Sequence, residues 1–258
     1  MTVVIDDLSD NKRLAEPASV LASSRKAIAI SGAGISVESG IPDFRSPGGL
    51  WEKFDPMEYA YIETFRRDPE KAWQLFREVG RTLAGKIPNR AHYVLVELEE
   101  RGMLHALITQ NIDGLHQAAG SRNVIEVHGD HSHLECIECR HNIPSVDGHY
   151  DPGEVPTCER CGYPLKPAVV LFGEAIRGVD RIEEALDGCD VILTIGTSAQ
   201  VQPVASLPWQ VKTSGGTVIE FDLTDTQLTG SCSDYFVKGN ASETLDRFAE
   251  AAEELRKA

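Results

Sequence analysis

Gly32-Ala33-Gly34-Ile35-Ser36-Val37-Glu38-Ser39-Gly40-Ile41-Pro42-Asp43-Phe44-Arg45 is the stretch that decides the reading of this chain. It follows a short apolar, strand-like run at 26–30. Glycines at 32 and 34 let backbone N–H groups approach a pyrophosphate without interference from a Cβ, and a helix start behind them adds partial positive charge. A strand, a glycine-rich turn and a helix start together predict a dinucleotide-binding unit. The spacing is Gly-x-Gly-x5-Gly, however, with Val37 where a dehydrogenase fingerprint has its third glycine. A polar Pro-Asp-Phe-Arg tail then occupies sequence that a plain βαβ unit would give to helix. The mismatch points to a dinucleotide held for chemistry other than hydride transfer.

Outward from this turn, apolar runs alternate with helical periodicity, which predicts an α/β fold with a parallel sheet covered by helices. Strands are expected at 27–30, 105–109, 124–127, 169–172, 191–195 and 217–221, and helices at 70–84, 91–100, 179–186 and 204–212. Residues 242–257 carry Leu245, Phe248, Ala249, Ala252 and Leu255 at helical spacing, so a C-terminal helix should pack along one face. Two segments interrupt the alternation. Residues 132–165 are rich in cysteine and proline and poor in aliphatic runs, as an inserted small module within a larger domain of 1–131 and 166–258. Residues from 42 to about 69 set Trp51, Phe54, Tyr59, Tyr61 and Phe65 among glycines and prolines. That segment reads as a loop able to close over a ligand, leading into helices that end near 85.

A chain of 258 residues buries roughly 75% of its unfolded surface, enough for a large domain with a satellite and no disulfide support. No run of about 18 apolar residues is present, which argues against a membrane span. Residues 1–10 are acidic and lack the apolar core of a secretory signal, so a cytoplasmic location is expected. The formal charge is −15, and arginine outnumbers lysine. Such a surface repels phosphate backbones and anionic lipid, which argues against nucleic acid and membrane as main partners. It would suit a lysine-rich polypeptide, although adaptation to a high-salt cytoplasm is the simpler account of the acidity. No sequence feature sets an oligomeric state.

Cys136-x2-Cys139 and Cys158-x2-Cys161, separated by 18 residues, have the spacing of a four-thiolate zinc site. Two knuckles fill the tetrahedral shell and leave no position for water, so the ion is expected to be structural. Two disulfides are the alternative, and a reducing cytosol disfavours them. His131, His133 and His141 lie near enough in sequence to be rival ligands. Cys189 and Cys232 stand alone, as core or surface thiols.

Thr109-Gln110-Asn111-Ile112-Asp113 follows the apolar run at 106–108. In open α/β sheets ligands bind beyond the carboxyl ends of strands, so this placement matters more than the residue types alone. Asn111 can donate and accept, orienting a hydroxyl or water, and Asp113 can accept from an amide. A second run, 124–127, ends in His128-Gly129, which makes His128 a general-base candidate. Gly196, Thr197 and Ser198 follow 191–195 and offer donors for phosphate or ribose, while Asp222 ends 217–221 as a carboxylate for ribose hydroxyls. His116 reads as a structural residue on a helix.

Together these residues resemble the sirtuins, the NAD-dependent protein lysine deacylases, in their prokaryotic form. The resemblance runs from about residue 27 to the C-terminal helix. It rests on 32–45, Thr-Gln-Asn-Ile-Asp at 109–113, Val-His-Gly at 127–129, the paired knuckles, Phe172-Gly173-Glu174, and Gly196-Thr197-Ser198 with Val201 and Pro203. It implies a Rossmann-like, doubly wound domain with an inserted zinc-ribbon module and a cleft between them. NAD would lie against Gly32, Ala33, Gly34, Asp43, Phe44, Arg45, Trp51, Gln110, Asn111, Gly196, Thr197, Ser198, Asp222 and Ala241. Ile112 and Asp113 would hold the nicotinamide amide. The acylated lysine of a substrate protein would enter an apolar tunnel walled by Phe44, Val170 and Phe172. Its peptide would add as a strand between Gly173–Ala175 and Val201–Gln202, with Glu174 beside it.

The implied reaction releases nicotinamide, transfers the acetyl group to ADP-ribose and yields O-acetyl-ADP-ribose. In it His128 is the base, and Asn111 positions ribose and water. Alternatives on the same fold are protein ADP-ribosylation and removal of longer acyl chains. A zinc-containing NAD dehydrogenase or a non-enzymatic zinc-ribbon module leaves the polar clusters unused. Relatives that favour succinyl or malonyl groups have a Tyr-x-x-Arg pair where this chain has Phe76 and Val79, so acetyl or apolar acyl groups are expected; Arg77 and Arg81 are the nearest cations. The chain departs from the family pattern at Asp222, Lys166 and Ala199, and at Asp130, whose carboxylate is expected to raise the pKa of His128.

Overall fold

Residues 2–7 and 12–257 are described in the computed structural model. The chain runs through β1 (Val3–Ile5), α1 (Lys12–Ser23), β2 (Ala27–Ser31), α2 (Leu50–Lys53), α3 (Pro56–Tyr59), α4 (Ile62–Arg67), α5 (Pro69–Leu83), α6 (Arg90–Glu100), β3 (Ala106–Thr109), α7 (Leu115–Ala119) and β4 (Val124–Glu126). It continues through β5 (Gly129–Glu135), β6 (Asn142–Pro144), β7 (Lys166–Val169), α8 (Val179–Leu186), β8 (Val191–Ile195), α9 (Leu207–Thr213), β9 (Thr217–Asp222), β10 (Tyr235–Lys238) and α10 (Ala241–Lys257).

The central strands are mainly apolar because both of their faces are covered. On β2, Ala27 and Ala29 face one core while Ile28 and Ile30 face the other. On β8, Val191, Leu193 and Ile195 join the first core and Ile192 the second. The first core receives Leu14 and Leu21 of α1, Val94, Leu95 and Leu98 of α6, and Leu245 and Phe248 of α10. The second receives Ile182 of α8 and Leu207 and Val211 of α9. Phe248 meets Phe221 edge-on at 5.1 Å between ring centroids. Truncating such a residue costs about 3–5 kcal/mol.

The large sheet has the order β1-β10-β9-β8-β2-β3-β4, with every pair parallel. From β2 the chain moves outward to β3 and β4, then crosses back to β8 and continues through β9 and β10. The order therefore reverses between β2 and β8, and the crevice at that switch point is where an open α/β sheet binds ligands. Gly32 and Gly34 follow β2 and Gly196 follows β8. A Cβ on Gly34 would lie 2.6 Å from the Cα of Gly196, and one on Gly32 would lie 2.7 Å from its carbonyl oxygen. The two turns nest because neither has a side chain in the way.

A second, antiparallel sheet joins β5 to β6 and β7. The strand expected at 169–172 is corrected here: the paired residues are Lys166–Val169, they belong to this small sheet, and Phe172 makes only an isolated bridge with Tyr61. Val169 and Leu171 face a third core, with Phe65, Trp73, Phe76, Leu134 and Tyr150, so the apolar run serves that layer and not the parallel sheet. Trp73 of α5 donates its indole N–H to the carbonyl of Leu165 at 2.8 Å.

Other expectations shift locally. The segment after Gly32 is a 3-10 helix over Ala33–Ser39, ended by Gly40 at φ 77°, not the start of an α-helix. The helix expected at 204–212 begins as a 3-10 turn, Val204–Ser206, before α9. The elements β1, α1 and β10 were not expected, while α10 closely follows 242–257. Part of the reading of residues 1–10 as leader-free falls on residues 1 and 8–10, outside the described residues. No described helix is long and apolar enough to cross a membrane.

Candidate active site

A cavity of about 1010 Å³ opens at the switch point. Gly32, Ala33, Gly34, Asp43, Phe44, Arg45, Trp51, Gln110, Asn111, Ile112, His128, Val170, Phe172, Gly173, Glu174, Gly196, Thr197, Ser198, Val201, Asp222 and Ala241 all line it. Asp113 lies in a small adjoining pocket that shares Ala33, Phe44, Asn111 and Ile112 with the large one. Residues drawn from strand ends across the whole sequence therefore meet at one place.

His128 donates Nδ1–H to the backbone carbonyl of Gln110 at 3.0 Å. A carbonyl can only accept, so this bond fixes the tautomer and leaves Nε2 as the lone-pair nitrogen. Burial pulls the imidazole pKa below its usual value, opposed by the bond to Gln110. The expectation that Asp130 raises this pKa is corrected. Asp130 accepts from Ser132 at 2.5 Å and pairs with His133 at 2.8 Å, and desolvation governs His128 instead.

Asn111 is buried, and its amide donates to the carbonyl of Gly32 at 3.1 Å and to the Ser36 hydroxyl at 3.2 Å. Both amide protons are thus committed, so the side chain offers an acceptor, Oδ1, and not the donor-and-acceptor pair expected from its residue type. The Ser36 hydroxyl in turn donates a hydrogen bond to Asp113 at 2.7 Å, and Asp113 also accepts from the Leu115 N–H at 2.9 Å. Gln110 donates to the Thr197 hydroxyl at 2.8 Å, which ties the end of β3 to the turn after β8. Behind this floor, His116 on α7 is buried and bonded to Ser31 at 2.8 Å, as a structural residue. Burial drives its pKa down to about 3.

Asp43 accepts from the N–H groups of Arg45 and Ser46 at 2.9 Å and 2.7 Å. It shapes the loop over the cavity, and Phe44 and Trp51 lean together there at 5.1 Å. Asp222 accepts from the Thr224 N–H at 3.1 Å, and burial raises its pKa. The loop that follows, from Leu223 to Gln227, also lines the cavity and was missed. The strand-end rule applied one turn further would have found it. Glu220, fully buried on β9, holds that loop by accepting from Thr229 at 2.9 Å, from Ser233 at 2.6 Å and from Thr226.

Leu75, Phe76 and Val79 of α5 bring an apolar wall that sequence reading assigned only in part. Neither Arg77 nor Arg81 lines the cavity. Arg77 pairs with Glu70 at 2.7 Å and donates to the Gly153 carbonyl at 2.6 Å, while Arg81 pairs with Glu78 at 3.8 Å.

Away from the cavity, the sulfurs of Cys136, Cys139, Cys158 and Cys161 all lie within 4.8 Å of one another. Cys136–Cys161 and Cys139–Cys158 are 3.5 Å apart, too far for disulfides. A tetrahedron with Zn–S bonds of about 2.3 Å has edges of about 3.8 Å, so the four thiols fit one zinc ion. None of the three rival histidines, His141 included, belongs to the cluster; His133 pairs with Asp130, and His131 stacks on Tyr150 at 4.2 Å.

Comparison with known proteins adds to this geometry. The profile of the Sir2 family matches residues 32–203. The chain belongs to the Sir2 family. A family relative from Pyrococcus abyssi, named NAD-dependent protein deacylase, is 44% identical over 241 residues, covering 91% of this chain and 96% of that one. One from Caldivirga maquilingensis, named NAD-dependent protein deacetylase, is 45% identical over 230 residues, covering 88% and 89%. Among solved structures, a Sir2 homologue in complex with NAD superimposes with a TM-score of 0.87 at 39% identity, covering 98% of this chain and 97% of that one. A Sir2 variant with a deacetylated p53 peptide and 3′-O-acetyl ADP ribose gives 0.84 at 33% identity, covering 91% and 96%.

Proposed function

We propose that this chain is an NAD-dependent protein-lysine deacetylase, transferring the acetyl group of an acetyl-lysine to ADP-ribose with release of nicotinamide. The observation that carries the reading is that His128 and Asn111 both line one cavity at the switch point of a Sir2-family sheet, with Nδ1 of the first and Nδ2 of the second already bonded to backbone carbonyls. NAD supplies a ribose carbon that can exchange nicotinamide for an acyl oxygen; the protein's part is to hold, orient and deprotonate. The N–H groups of Gly32, Gly34 and Gly196 are taken by the carbonyls of Ile195, Gly196 and Phe221, so phosphates and ribose are read as bound by the N–H groups of Ala33, Thr197 and Ser198 and the hydroxyls of Thr197 and Ser198, with Asp222 and Ala241 at the adenosine end. Asp113 accepts from the nicotinamide amide beside Ile112. Asn111 Oδ1 accepts from a ribose hydroxyl, and His128 removes the ribose proton at Nε2. Phe44, Arg45 and Trp51 close over the site, and holding the acyl oxygen there contributes proximity worth several kcal/mol, with an upper range of ~7–11.

The substrate protein is read as entering between Gly173–Glu174 and Val201, with its acyl chain against Val170 and Phe172. Leu75, Phe76 and Val79 extend that wall, which favours acetyl and longer apolar acyl groups over acidic ones. The four cysteines hold a structural zinc that takes no part in the steps. The same reading divides the chain into a nucleotide-binding domain, 1–131 with 166–258, and a metal module at 132–165. It also favours a cytoplasmic setting, where thiols stay reduced. The test incubates the protein with an acetyl-lysine peptide and NAD and follows nicotinamide by chromatography. Release in step with deacetylated peptide, without growth of reduced-nicotinamide absorbance, is expected. Release that ignores the acyl group would refute it.

A further inference from the structure

Lys166 has no solvent exposure, and its ammonium is not part of the cavity floor. Its Nζ lies 2.6 Å from Glu135 Oε1, 2.6 Å from the Val169 carbonyl and 3.3 Å from Glu174 Oε2. The ammonium donates to Glu135, to the Val169 carbonyl and, at 3.4 Å, to the Pro167 carbonyl, which uses its three donors, and Glu174 is an ion-pair partner beside them. Glu135 gives its second oxygen to Arg177 at 2.6 Å, and Glu174 accepts from the Leu171 N–H at 2.9 Å. Two cations and two carboxylates thus form a cluster without net charge. Burying an ammonium fully is costly, and a well-packed apolar residue would stabilise the fold as well. A buried ion cluster at this place is therefore better explained by what it orients.

The cluster joins two parts of the site. Glu135 immediately precedes Cys136, the first metal-binding thiol, at the end of β5. Glu174 and Arg177 lie in the turn that directly follows Phe172 and Gly173. That turn is also tied to the reacting end: the Val170 N–H donates to the carbonyl of His128 at 2.8 Å, and the Arg177 N–H to the carbonyl of Val127 at 2.9 Å. A peptide that binds by strand addition draws its affinity from main-chain bonds, so the receiving edge has to be held before the peptide arrives. An edge left loose would be ordered at the expense of binding.

We propose that Lys166, acting through Glu135 and Glu174, is a positioning residue for the acyl-peptide, locking the receiving edge at 171–177 to the strand that carries the metal site. The proposal rests on the deacetylase reading, and the experiment separates the two. Steady-state kinetics with an acetyl-lysine peptide and NAD are measured for wild type, Glu135→Gln, Glu174→Gln, Lys166→Met and Lys166→Arg, alongside ADP-ribose affinity and zinc content. Losing one ionic contact to Lys166 in each glutamine variant raises the peptide KM about tenfold, with zinc content and ADP-ribose affinity unchanged. Lys166→Arg keeps the charge and stays close to wild type. Lys166→Met leaves two carboxylates facing each other; if it does not fold, the glutamine variants decide. Glutamine variants that are folded and zinc-loaded but have the wild-type peptide KM would overturn the proposal. So would peptide and ADP-ribose binding weakened in parallel, the mark of a structural role. A wild type that does not turn over would sink the deacetylase reading, and this proposal with it.

Discussion

Replacing Gly34 by alanine tests how the nucleotide end of the cavity is built. The added Cβ would sit 2.6 Å from the Cα of Gly196, 2.9 Å from its carbonyl oxygen and 3.0 Å from its carbonyl carbon. Ordinary carbon–carbon contact begins near 3.5 Å, so the overlap is about 0.9 Å, and every atom in the way is backbone. Neither turn can yield without moving the end of β2 or β8, whose neighbours are fully buried. Overpacking costs about 1–3 kcal/mol, and the absence of a side chain that could swing aside puts this case at roughly 3. For a domain of this size each kcal/mol is worth about 2–4 °C, so a fall in melting temperature of roughly 6–12 °C is expected. Gly153→Ala is the control, because a Cβ there meets nothing within 4 Å. Calorimetry gives the stability of both variants, and titration with ADP-ribose gives the affinity, which should fall for Gly34→Ala alone. If Gly34→Ala melts with Gly153→Ala and binds ADP-ribose like wild type, the two turns do not nest as described.

Buried His116 and His92, with pKa values held down to about 3 and about 4, must be neutral in the native state, whereas unfolded histidine titrates near 6.5. Their contribution is full above pH 6.5 and is lost as the pH falls toward their folded values, by roughly 2 kcal/mol per histidine at pH 5. Urea unfolding at pH 7.5 and pH 5 should show a smaller pH effect in His116→Gln than in wild type; an equal effect would contradict the assignment. Changing Cys139 to serine should drop zinc below one equivalent and unfold the module, which draws about 10–16 kcal/mol from its metal, as read by metal analysis and protease cutting within 136–161. Full zinc content in that variant would refute the four-thiolate site. The low pKa of His128 predicts that activity persists below pH 6.5 before the base protonates, so the acidic limb of kcat/KM should fall under that value. With no cation at Phe76 or Val79, acetyl-lysine should turn over faster than succinyl-lysine, and the reverse order in a kinetic comparison would contradict the apolar wall.

Local pattern disclosed most of the nucleotide side. The glycines at 32, 34 and 196 stand out in the sequence, although what forces them is the nesting of two distant turns and not only approach to a pyrophosphate, and the polar residues at 110–113 and 128 fall where strands end. Spacing alone was enough for the four cysteines. What pattern could not disclose depends on distant partners. The run at 169–172 is apolar whether it joins the parallel sheet or the third core, and only the packing of Leu134, Trp73 and Tyr150 decides. Strand β1 is a short edge element and β10 lies next to it, and their pairing is set across the chain, Val3 with Tyr235 and Ile5 with Val237. Asp130 looked like a neighbour of His128 in sequence, yet its side chain turns to Ser132 and His133. The tautomer of His128 comes from the Gln110 carbonyl, 18 residues away.

The most direct test of the account is mass spectrometry of an acetyl-lysine peptide incubated with NAD, comparing wild type with His128→Ala. Wild type should convert the acetyl-lysine peptide to its deacetylated form and yield O-acetyl-ADP-ribose in equal amount, and the variant should lose nearly all of that product while still binding ADP-ribose. Equal O-acetyl-ADP-ribose from both proteins would contradict the placement of the base at 128.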